Sequence, residues 1–554
     1  MIQLIECVPN FSEGRNLAII KQITDVIESV EGIKLLDVDP GAATNRTVVT
    51  FVGQPQPVME AAFRAMQKAK ELIDMSKHKG EHPRFGATDV CPFVPVSNIT
   101  LEETAAYARQ LAERVGRELE YPVYLYESAA SRPERKNLAT VRAGEYEGLA
   151  KKLEDPNWMP DFGGNTFRPT VGATAIGARD FLIAVNFNLN TTSTRRANSV
   201  AFDVREAGRL VKQTNPATGQ TEEVRVAGSL KACKAIGWYI AEYGVAQVSM
   251  NLTDIGITPI HVAFDEVNKS ATARGLRVTG TEIVGLLPLK ALTEAGKYFL
   301  RKQERSVGVS EKELIKIAVK SMGLDELRPF EPEKKIIEYI LKDANSSPLI
   351  NMNLEAFADE TASESPAPGG GSIAAYCGAL GVSLGTMVAN LSSHKRGWDE
   401  RWEEFSDWAE KGEKLKKQLL YCVDEDTRAF NRIMDAFGLP KSSDAEKQAR
   451  KAAIQAATRN AIEVPFKVME LSFESMEMLK AMAETGNPNS VSDAGVGALC
   501  ARTAVWGAWL NVKINAASYD DEVFKSDILA KAKMLAEAAA AAETAILAIV
   551  ESKL

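Results

Sequence analysis

The amino-acid sequence predicts a multidomain protein with two α/β subdomains followed by an all-helical bundle domain, and three observations lead to this expectation. The chain has 554 residues, whereas single hydrophobic cores stop growing beyond roughly 250–300 residues. Runs of β-branched residues alternate with helical patterns in the first part of the chain, as in α/β proteins. After Leu354 no convincing strand pattern occurs, and long amphipathic or alanine-rich segments dominate instead.

The first α/β subdomain is expected at residues 1–179. Strands are predicted at residues 2–7, 33–39, 46–52 and 121–126, and helices at residues 16–30, 57–74 and 100–118. Strands separated by helices of this length are typical of α/β units with crossover connections.

The second α/β subdomain is expected at residues 180–326. It has predicted strands at 181–188 and 245–252 and predicted helices at 197–210 and 258–274. A cleft between the two subdomains is a natural ligand site. Residues 327–353 contain Pro329, Pro332, Pro348 and the polar run Asn345-Ser346-Ser347, which indicates a linker. The helical domain is expected at residues 354–554.

The composition argues against nucleic-acid and membrane partners. The net charge is −8, from 66 Lys and Arg against 74 Asp and Glu, and no basic block occurs. Residues 369–393 lack charge but consist largely of Gly, Ala and Ser, which favours a buried, closely packed helix over a membrane span. Residues 1–6 do not resemble a signal peptide. The six cysteines show neither a C-x-x-C pair nor a metal-ligand spacing, so we expect free thiols in a reducing compartment and no metal.

His82 is the first candidate for catalysis. It lies within residues 80–89, where Pro83 disfavours the helical conformation for the preceding residue and so indicates an extended loop. An imidazole with a pKa of about 6.5 can accept and return a proton at neutral pH. The alternative is a histidine that only satisfies hydrogen bonds within its loop.

Asp39 and Arg46 flank a loop between two predicted strands. A carboxylate there could orient a base or stabilise a cationic intermediate, and an arginine could hold a substrate carboxylate. The alternative, which the pattern alone favours, is turn chemistry with a surface ion pair.

Two glycine-rich loops are further candidates. Residues 163–172 join the two α/β subdomains and could line a flat aromatic ligand or act only as a connector. Residues 366–372 lack the lysine of a phosphate loop, but they place glycines and Ser372 at a helix start, where free N–H groups favour anions. Helix capping and tight packing are the alternative.

Asp426 stands in an apolar stripe of the helical domain. The stripe recurs at steps of three and four residues and consists of Leu415, Leu419, Cys422, Asp426, Phe430 and Ile433. A carboxylate on such a face often has a raised pKa suited to proton transfer. An ion pair with an arginine of a neighbouring helix, for example Arg502, is the alternative. Asp424 and Glu425 fall off the stripe and are expected to be solvated.

Several of these segments together resemble one enzyme family. Residues 7–15 (Cys-Val-Pro-Asn-Phe-Ser-Glu-Gly-Arg), the loop of residues 39–46 and residues 80–89 closely resemble glutamate formiminotransferase. Residues 366–372, with Asp424-Glu425-Asp426-Thr427 and Phe430-Asn431, resemble formiminotetrahydrofolate cyclodeaminase. Their order matches the fused formiminotransferase-cyclodeaminase family, and the resemblance covers nearly the whole chain.

The resemblance implies a bifunctional folate enzyme of histidine degradation. The first reaction moves the formimino group of N-formimino-L-glutamate to tetrahydrofolate and releases L-glutamate. The second cyclises 5-formiminotetrahydrofolate to 5,10-methenyltetrahydrofolate and releases ammonia. Tetrahydrofolate, polyglutamylated, is the implied co-substrate, no metal is required, and the family implies a homo-oligomer in the cytoplasm.

The resemblance also implies roles for individual residues. His82 matches the catalytic histidine of the transferase, Asp39 would orient it or stabilise the amidinium, and Arg46 would hold a carboxylate. Asp426 matches the catalytic aspartate of the cyclodeaminase. The folate-binding loop corresponds to Gly163, Gly164, Asn165, Thr166, Phe167, Arg168, Pro169, Thr170, Val171 and Gly172. Gly164 stands where the family commonly has a proline after Asp-Phe-Gly.

Two alternatives remain open at the level of sequence. The helical domain could be an oligomerisation scaffold, with catalysis confined to the front domain. The donor could also be formylglutamate or formiminoglycine, because Arg46 would grip any small carboxylate.

Overall fold

A computed structural model describes residues 3–41, 45–80, 84–214, 221–241, 243–341 and 348–554. The chain forms two compact units, Met1–Pro288 and Leu289–Leu554. Within the described residues, all strands lie in the first unit and the second unit consists of helices and their connections, which confirms the expected fold class. The domain boundaries expected at residues 179, 326 and 353 stay predictions.

The first part of unit 1 contains a seven-stranded sheet and the helices that cover it. Its elements are β1 (Leu4–Cys7), β2 (Asn10–Phe11), α1 (Leu17–Glu28), β3 (Ile33–Gly41), β4 (Arg46–Gly53), α2 (Pro55–Leu72), β5 (Thr88–Ser97), α3 (Leu101–Arg114, continued by a π-helical turn to Leu119), β6 (Val123–Glu127), α4 (Leu138–Val141), α5 (Glu145–Glu154) and β7 (Thr174–Ala178).

The strands of this sheet are mainly antiparallel. From one edge to the other the order is β3, β4, β1 together with β2, β5, β7 and β6, because β1 and β2 each pair with β4 on one side and β5 on the other. The pairings of β7 with β5 and β6 are parallel, and the other pairings are antiparallel. One face packs against α1, α2 and α3 through residues such as Phe51 and Phe93. The other face carries Tyr124 and Tyr126, which pack with residues of α4 and α5.

The second part of unit 1 contains a four-stranded sheet and a hairpin. Its elements are β8 (Ile183–Leu189), α6 (Thr194–Val204), β9 (Arg209–Thr214), β10 (Thr221–Val226), β11 (Cys233–Ile240), β12 (Val245–Leu252), α7 (Ile260–Ala273) and β13 (Val278–Val284). The sheet is antiparallel with the order β11, β12, β8, β13. One face of this sheet carries a polar network, in which Asn186 and Gln247 both donate to the carboxylate of Glu282.

Crossover connections were expected for both α/β parts, and for most strands this expectation is wrong. β3 and β4 form a hairpin, as do β11 and β12, so adjacent strands run antiparallel. β5 went unpredicted because Pro92 and Pro95 interrupt it, and proline is rare in a strand that is paired on both sides. The helix predicted at residues 197–210 ends at Val204, and β9 follows.

Unit 2 is helical. Its helices are α8 (Leu289–Lys302), α9 (Glu311–Met322), α10 (Pro332–Lys335), α11 (Ile337–Leu341), α12 (Leu354–Ala362), α13 (Gly370–Ser393), α14 (Trp402–Gly438), α15 (Asp444–Thr485), α16 (Val491–Ala516) and α17 (Glu522–Glu551). Residues 348–554, which are described without a gap, contain no strand.

The small residues of α13 allow close helix packing, as expected. This helix contacts α14, α15 and α16. A Cβ atom at Gly378 would lie 2.5 Å from Ser472 Oγ, and one at Gly381 would lie 2.8 Å from the carbonyl oxygen of Gly497. Among the described residues, α13 alone is long and apolar enough to cross a membrane, and 61% of its most apolar window is buried inside the protein. Core helices of soluble proteins also meet this criterion, so the finding is weak evidence for a membrane span.

Candidate active sites

Three of the sequence motifs meet in unit 1. The backbone N–H of Gly14 donates to Asn45 Oδ1 at 3.0 Å, and Asn45 Nδ2 donates to the carbonyl oxygen of Lys79 at 3.0 Å. Ser12 Oγ donates to the carbonyl oxygen of Gly86 at 2.7 Å. The segments around residues 7–15, 39–46 and 80–89 therefore converge on one place.

His82 lies outside the described residues, so its catalytic role stays a prediction. The chain on either side of it is anchored: His78 is buried with its Nε2 atom 2.7 Å from the carbonyl oxygen of Asn45, and Arg84 donates to the carbonyl oxygen of His78. Burial is the main cause that lowers the pKa of His78, which favours a neutral imidazole in a structural role.

Asp89 gathers two arginines beside these motifs. Its side chain is 1% exposed, and its Oδ2 atom lies 2.9 Å from an Arg142 guanidinium nitrogen and 3.3 Å from one of Arg46. Burial lowers the pKa of Arg46, and the charge of Asp89 opposes this effect. Sequence reasoning missed Arg142, which follows α4 outside every recognisable motif.

Asp39 is exposed on β3. Its register partner is Val48 on β4, and side chains alternate along a strand, so Arg46 shares the face of Val48. Asp39 and Arg46 therefore lie on the same face of the sheet at the end of the β3–β4 hairpin. The roles assigned to both residues stay predictions.

The loop of residues 163–172 is joined to the segment that follows His82. The backbone N–H of Ala87 donates to the carbonyl oxygen of Val171 at 2.8 Å, and that of Ala173 donates to the carbonyl oxygen of Phe85 at 3.0 Å. Gly172 has a φ of +75°, and a Cβ atom there would lie 2.5 Å from the Phe85 oxygen. The tight contact explains why a glycine stands at this position.

The side chains of this loop are partly held and partly exposed. Phe167 packs against Tyr146 with ring centroids 5.8 Å apart, and the Arg84 guanidinium lies 4.8 Å from the centre of the Tyr146 ring. Arg168 pairs with Glu120 at 2.9 Å. The exposed residues are Gly164, Asn165, Thr166, Pro169 and Thr170. Folate binding by this loop stays a prediction.

In unit 2 the start of α13 meets α14 at Asp426. Ser372 Oγ lies 3.2 Å from Asp426 Oδ2 and 2.8 Å from the carbonyl oxygen of Val423. A Cβ atom at Gly371 would lie only 2.1 Å from Asp426 Oδ1, so the glycine makes room for the carboxylate. The 366–372 loop and the aspartate motif, which lie far apart in the sequence, thus form one site.

The environment of Asp426 acts on its charge in two opposing ways. Burial raises the pKa of the carboxyl, whereas hydrogen bonds from the side chain and the backbone N–H of Ser372 lower it. The free N–H groups at the first turn of α13 also favour a negative charge there. A half-buried carboxyl with a raised pKa can both accept and return a proton.

Two expectations for the residues around Asp426 are wrong. Asp424 is 2% exposed, not solvated, and it accepts a hydrogen bond of 2.9 Å from the backbone N–H of Leu349. Phe430, which shares the predicted stripe, is exposed. A single apolar stripe does not predict which residues of α14 are buried, because several segments pack around this helix. The ion pair weighed between Asp426 and Arg502 is also not formed, since Arg502 pairs with Glu543 at 3.6 Å.

The described residues contain no group of three or more His, Cys, Asp and Glu side chains that could hold a metal ion. All six cysteines are free, as expected. The expectation that the reactions need no metal stays a prediction.

Comparisons with known proteins cover both units. The family model of the formiminotransferase domain, N-terminal subdomain, matches residues 4–179, and that of the formiminotransferase domain matches residues 184–342. The formiminotransferase-cyclodeaminase model matches residues 353–534.

Curated relatives match the whole chain or one part of it. A formimidoyltransferase-cyclodeaminase from Gallus gallus is 43% identical over 554 residues, which are 100% of both chains. A glutamate formimidoyltransferase from Streptococcus pyogenes serotype M1 is 42% identical over 55% of this chain and 95% of its own. A methenyltetrahydrofolate cyclohydrolase from Methylorubrum extorquens is 39% identical over 37% of this chain and 98% of its own. The chain belongs to the formiminotransferase-cyclodeaminase family.

Proposed function

We propose that the chain is a bifunctional folate enzyme that carries out two consecutive steps of one-carbon transfer. The observation that carries the proposal is the half-buried Asp426 carboxyl beside Ser372 and Gly371, in a chain that aligns over its full length with a bifunctional relative. Burial of a carboxyl costs free energy and raises its pKa, and a carboxyl with a raised pKa is suited to proton transfer, so Asp426 marks a second reaction centre in the helical domain.

The first reaction is transfer of the formimino group from N-formimino-L-glutamate to N5 of tetrahydrofolate. N5 attacks the formimino carbon and loses a proton, and the bond from this carbon to the glutamate nitrogen breaks. The departing nitrogen takes up a proton, and L-glutamate leaves. His82 accepts the first proton and delivers the second. Asp39 orients the imidazole or stabilises the amidinium, and Arg46 holds a carboxylate of the donor.

The second reaction closes a ring within 5-formiminotetrahydrofolate. N10 attacks the carbon of the protonated formimino group (an amidinium) and loses a proton. This proton passes to the resulting amino group, which then leaves as ammonia. The product is 5,10-methenyltetrahydrofolate. Asp426 transfers the proton from N10 to the leaving nitrogen, and the raised pKa of its carboxyl makes it a stronger proton acceptor than an ordinary aspartate.

The remaining assignments follow from the family. The co-substrate is tetrahydrofolate with a polyglutamate tail, the loop of residues 163–172 contributes to its binding, and the enzyme works in histidine degradation in the cytoplasm. A negative charge of −8 without a basic block agrees with a small-molecule enzyme that has no nucleic-acid partner.

We also propose a homo-oligomer. Exposed apolar side chains follow one face of α16 at intervals of three, four or seven residues. They are Val496, Leu499, Trp506, Leu510 and Ile514. An apolar stripe of this length on a soluble protein favours association. Light scattering measures the molar mass in solution and tests this proposal. The double variant Trp506→Glu with Leu510→Glu should lower the molar mass, whereas the control Lys531→Glu, at an exposed position, should leave it unchanged. A monomeric wild type would contradict the proposal.

One experiment tests both activities. The wild type, His82→Ala and Asp426→Asn are incubated with formiminoglutamate and tetrahydrofolate, and glutamate, ammonia and methenyl-folate absorbance are recorded. We expect His82→Ala to abolish release of glutamate, and Asp426→Asn to release glutamate at the wild-type rate without ammonia. Asp407→Asn, an exposed aspartate of the same helix α14, is the matched control and should behave as the wild type.

The same experiment decides between the proposal and the scaffold alternative. If Asp426→Asn releases ammonia at the wild-type rate, the carboxyl is structural and the helical domain only assembles the protein. If the wild type releases neither glutamate nor ammonia, formiminoglutamate and tetrahydrofolate are not its substrates.

A further inference from the structure

The apolar face of α14 that carries Asp426 continues beyond the helix that covers it. Upstream of Asp426 this face is buried and packs against α13, where a Cβ atom at Gly378 would lie 3.2 Å from Leu419 Cδ2. α13 begins at Gly370, beside Asp426. Past the start of α13, at steps of four, four and three residues from Asp426, the same face carries three large apolar side chains: Phe430, Met434 and Phe437.

These three side chains, which we call the open face of α14, lie at the surface. They are 39%, 52% and 49% exposed. The side of α14 that faces α15 is a different one, since Ala429 packs there with Ala461 and Val464. Large apolar side chains grouped at the surface beside a reaction centre indicate a binding surface.

An arginine lies at the far end of the open face. The Arg450 guanidinium lies 5.6 Å from the centre of the Phe437 ring and donates to the carbonyl oxygen of Phe437 at 3.1 and 3.3 Å. Within the part of the chain that the structure describes, no carboxylate pairs with Arg450. The open face therefore leads from a carboxyl at one end to a cation at the other.

This order of groups matches the substrate of the proposed second reaction. At a rise of about 1.5 Å per residue, Phe430 lies about 6 Å beyond Asp426 along the helix axis, and Phe437 about 16 Å. In 5-formiminotetrahydrofolate the reacting N10 is bonded directly to a benzene ring, and this ring carries a glutamate through an amide bond. The nitrogen, the ring and the carboxylates thus follow one another as Asp426, the open face and Arg450 do.

We propose that the open face of α14 binds the aminobenzoyl ring of 5-formiminotetrahydrofolate, with Arg450 binding a carboxylate of its glutamate. This inference rests on the proposed cyclodeaminase function and assigns a binding surface to its substrate. The ring packs on Phe430, which orients N10 toward the Asp426 carboxyl. Contact between the two aromatic rings and burial of apolar area both stabilise this arrangement. Phe430 binds substrate and takes no part in proton transfer.

The test supplies 5-formiminotetrahydrofolate directly to the full-length protein and measures the initial rate of ammonia release. For Phe430→Ala we expect the KM to rise about 10-fold or more, with kcat within about 2-fold of wild type, because binding lost equally from substrate and transition state raises the KM alone. Phe430→Tyr keeps the ring and should retain the wild-type KM. Arg450→Gln should raise the KM about 3–10-fold through loss of a charged hydrogen bond.

Two fragments of the substrate report which part of it the open face binds. 4-Aminobenzoyl-glutamate should inhibit ammonia release competitively, and Phe430→Ala should weaken this inhibition by the same factor as it raises the KM. 6-Methyltetrahydropterin, which lacks the ring, should inhibit the wild type and the variant to the same extent. Tyr421→Ala removes an exposed ring from another side of α14 and is the matched control, with an unchanged KM.

An unchanged KM in Phe430→Ala overturns the inference while ammonia release by the wild type stands. If light scattering then shows a lower molar mass for this variant, the open face is a contact between copies of the chain instead. An equal rise in KM for Tyr421→Ala also overturns it, because loss of any exposed ring on α14 would then suffice. If the wild type releases no ammonia from 5-formiminotetrahydrofolate, the proposed cyclodeaminase function itself fails.

Discussion

Ser372 and Asp426 lie 54 residues apart in the chain, and the Ser372 hydroxyl lies within hydrogen-bonding distance, 3.2 Å, of the Asp426 carboxylate. The same hydroxyl lies 2.8 Å from the carbonyl oxygen of Val423, so its single proton is shared between two acceptors. This contact connects the first turn of α13 to the middle of α14. It also favours the ionised form of Asp426 against the effect of burial.

Removing the Ser372 hydroxyl should shift the pH dependence of ammonia release. Hydrogen bonds from Ser372 lower the pKa of Asp426, so Ser372→Ala should raise that pKa further above its ordinary value. If the ionised carboxylate accepts the N10 proton, the acidic limb of the pH–rate profile moves to higher pH. We expect a loss of about 3–10-fold on the acidic limb of the profile and a smaller loss on its alkaline side.

The control for this shift is Ser383→Ala, which removes a hydroxyl of the same helix that bonds to the carbonyl oxygen of Ala379. Ammonia release is measured with 5-formiminotetrahydrofolate supplied directly, so that the transferase step does not contribute. An unchanged profile for Ser372→Ala would show that this hydroxyl does not tune the reacting carboxyl.

Gly371 offers a steric test of the same site. A Cβ atom there would lie 2.1 Å from Asp426 Oδ1 and 2.5 Å from its Cγ atom, far closer than atoms in contact can approach. Gly371→Ala must therefore displace the carboxylate, and displacing a catalytic group by about 1 Å can cost about 100-fold in rate. We expect ammonia release to fall by about that factor, and glutamate release to persist.

Gly438→Ala serves as the comparison, since this residue ends α14 and no atom lies within 4 Å of its added Cβ. Retention of full cyclodeaminase activity by Gly371→Ala would mean that the carboxylate position is not critical.

Much of this site could be predicted from the sequence because its signals are local. The step of three and four residues placed Asp426 on the same side of α14 as Leu419 and Cys422, both of which are buried. The burial of Asp424 could not be predicted, since it depends on Leu349 and Ile350, which lie 75 and 74 residues away and donate their backbone N–H groups. A helix surrounded on several sides has no single periodic stripe.

The fold of unit 1 shows the same division between local and long-range information. The strands β4 and β12 were found within one residue of their ends, because β-branched residues dominate them. β5 was missed because of Pro92 and Pro95, although it pairs with β1 and β7 at the centre of the sheet. Arg142 carries no local signal at all, and only tertiary structure brings it to Asp89.

The contact of Gly172 with the segment after His82 should matter for folate binding. Gly172 combines a φ of +75° with a close approach, since an added Cβ atom would lie 2.5 Å from the carbonyl oxygen of Phe85. Gly172→Ala should detach the loop from this segment. We expect the KM for tetrahydrofolate in the transferase reaction to rise about 10-fold or more, by analogy with the loss of one or two hydrogen bonds.

Gly164→Ala is the matched control, because Gly164 has a similar φ of +73° but no atom within 4 Å of an added Cβ. It therefore introduces backbone strain in the same loop without the close contact with Phe85. Equal KM values for the two variants would mean that strain, and not the contact with Phe85, determines the effect.

Glu6 should make the stability of unit 1 depend on pH. Its side chain is buried on β1, and burial raises its pKa from 4.5 to about 7, with the charge of Arg179 opposing the shift. The folded state thus binds the proton of Glu6 more tightly than the unfolded state, so the contribution of Glu6 to stability is largest below about pH 4.5 and is lost as the pH rises through about 7. Glu6→Gln removes the free-energy cost of ionising the buried carboxyl in the folded state, which amounts to about 3 kcal/mol at most.

We therefore expect Glu6→Gln to unfold at higher urea concentration than the wild type at pH 8.5, with a difference that shrinks steadily toward pH 5. Hydrogen exchange of the amides in β1, β4 and β5 reports on this unit within the full chain. Glu102→Gln, on the exposed face of α3, should show no such dependence. A difference that is the same at every pH would instead assign the effect to packing, because a glutamine fills the site of the carboxyl without titrating.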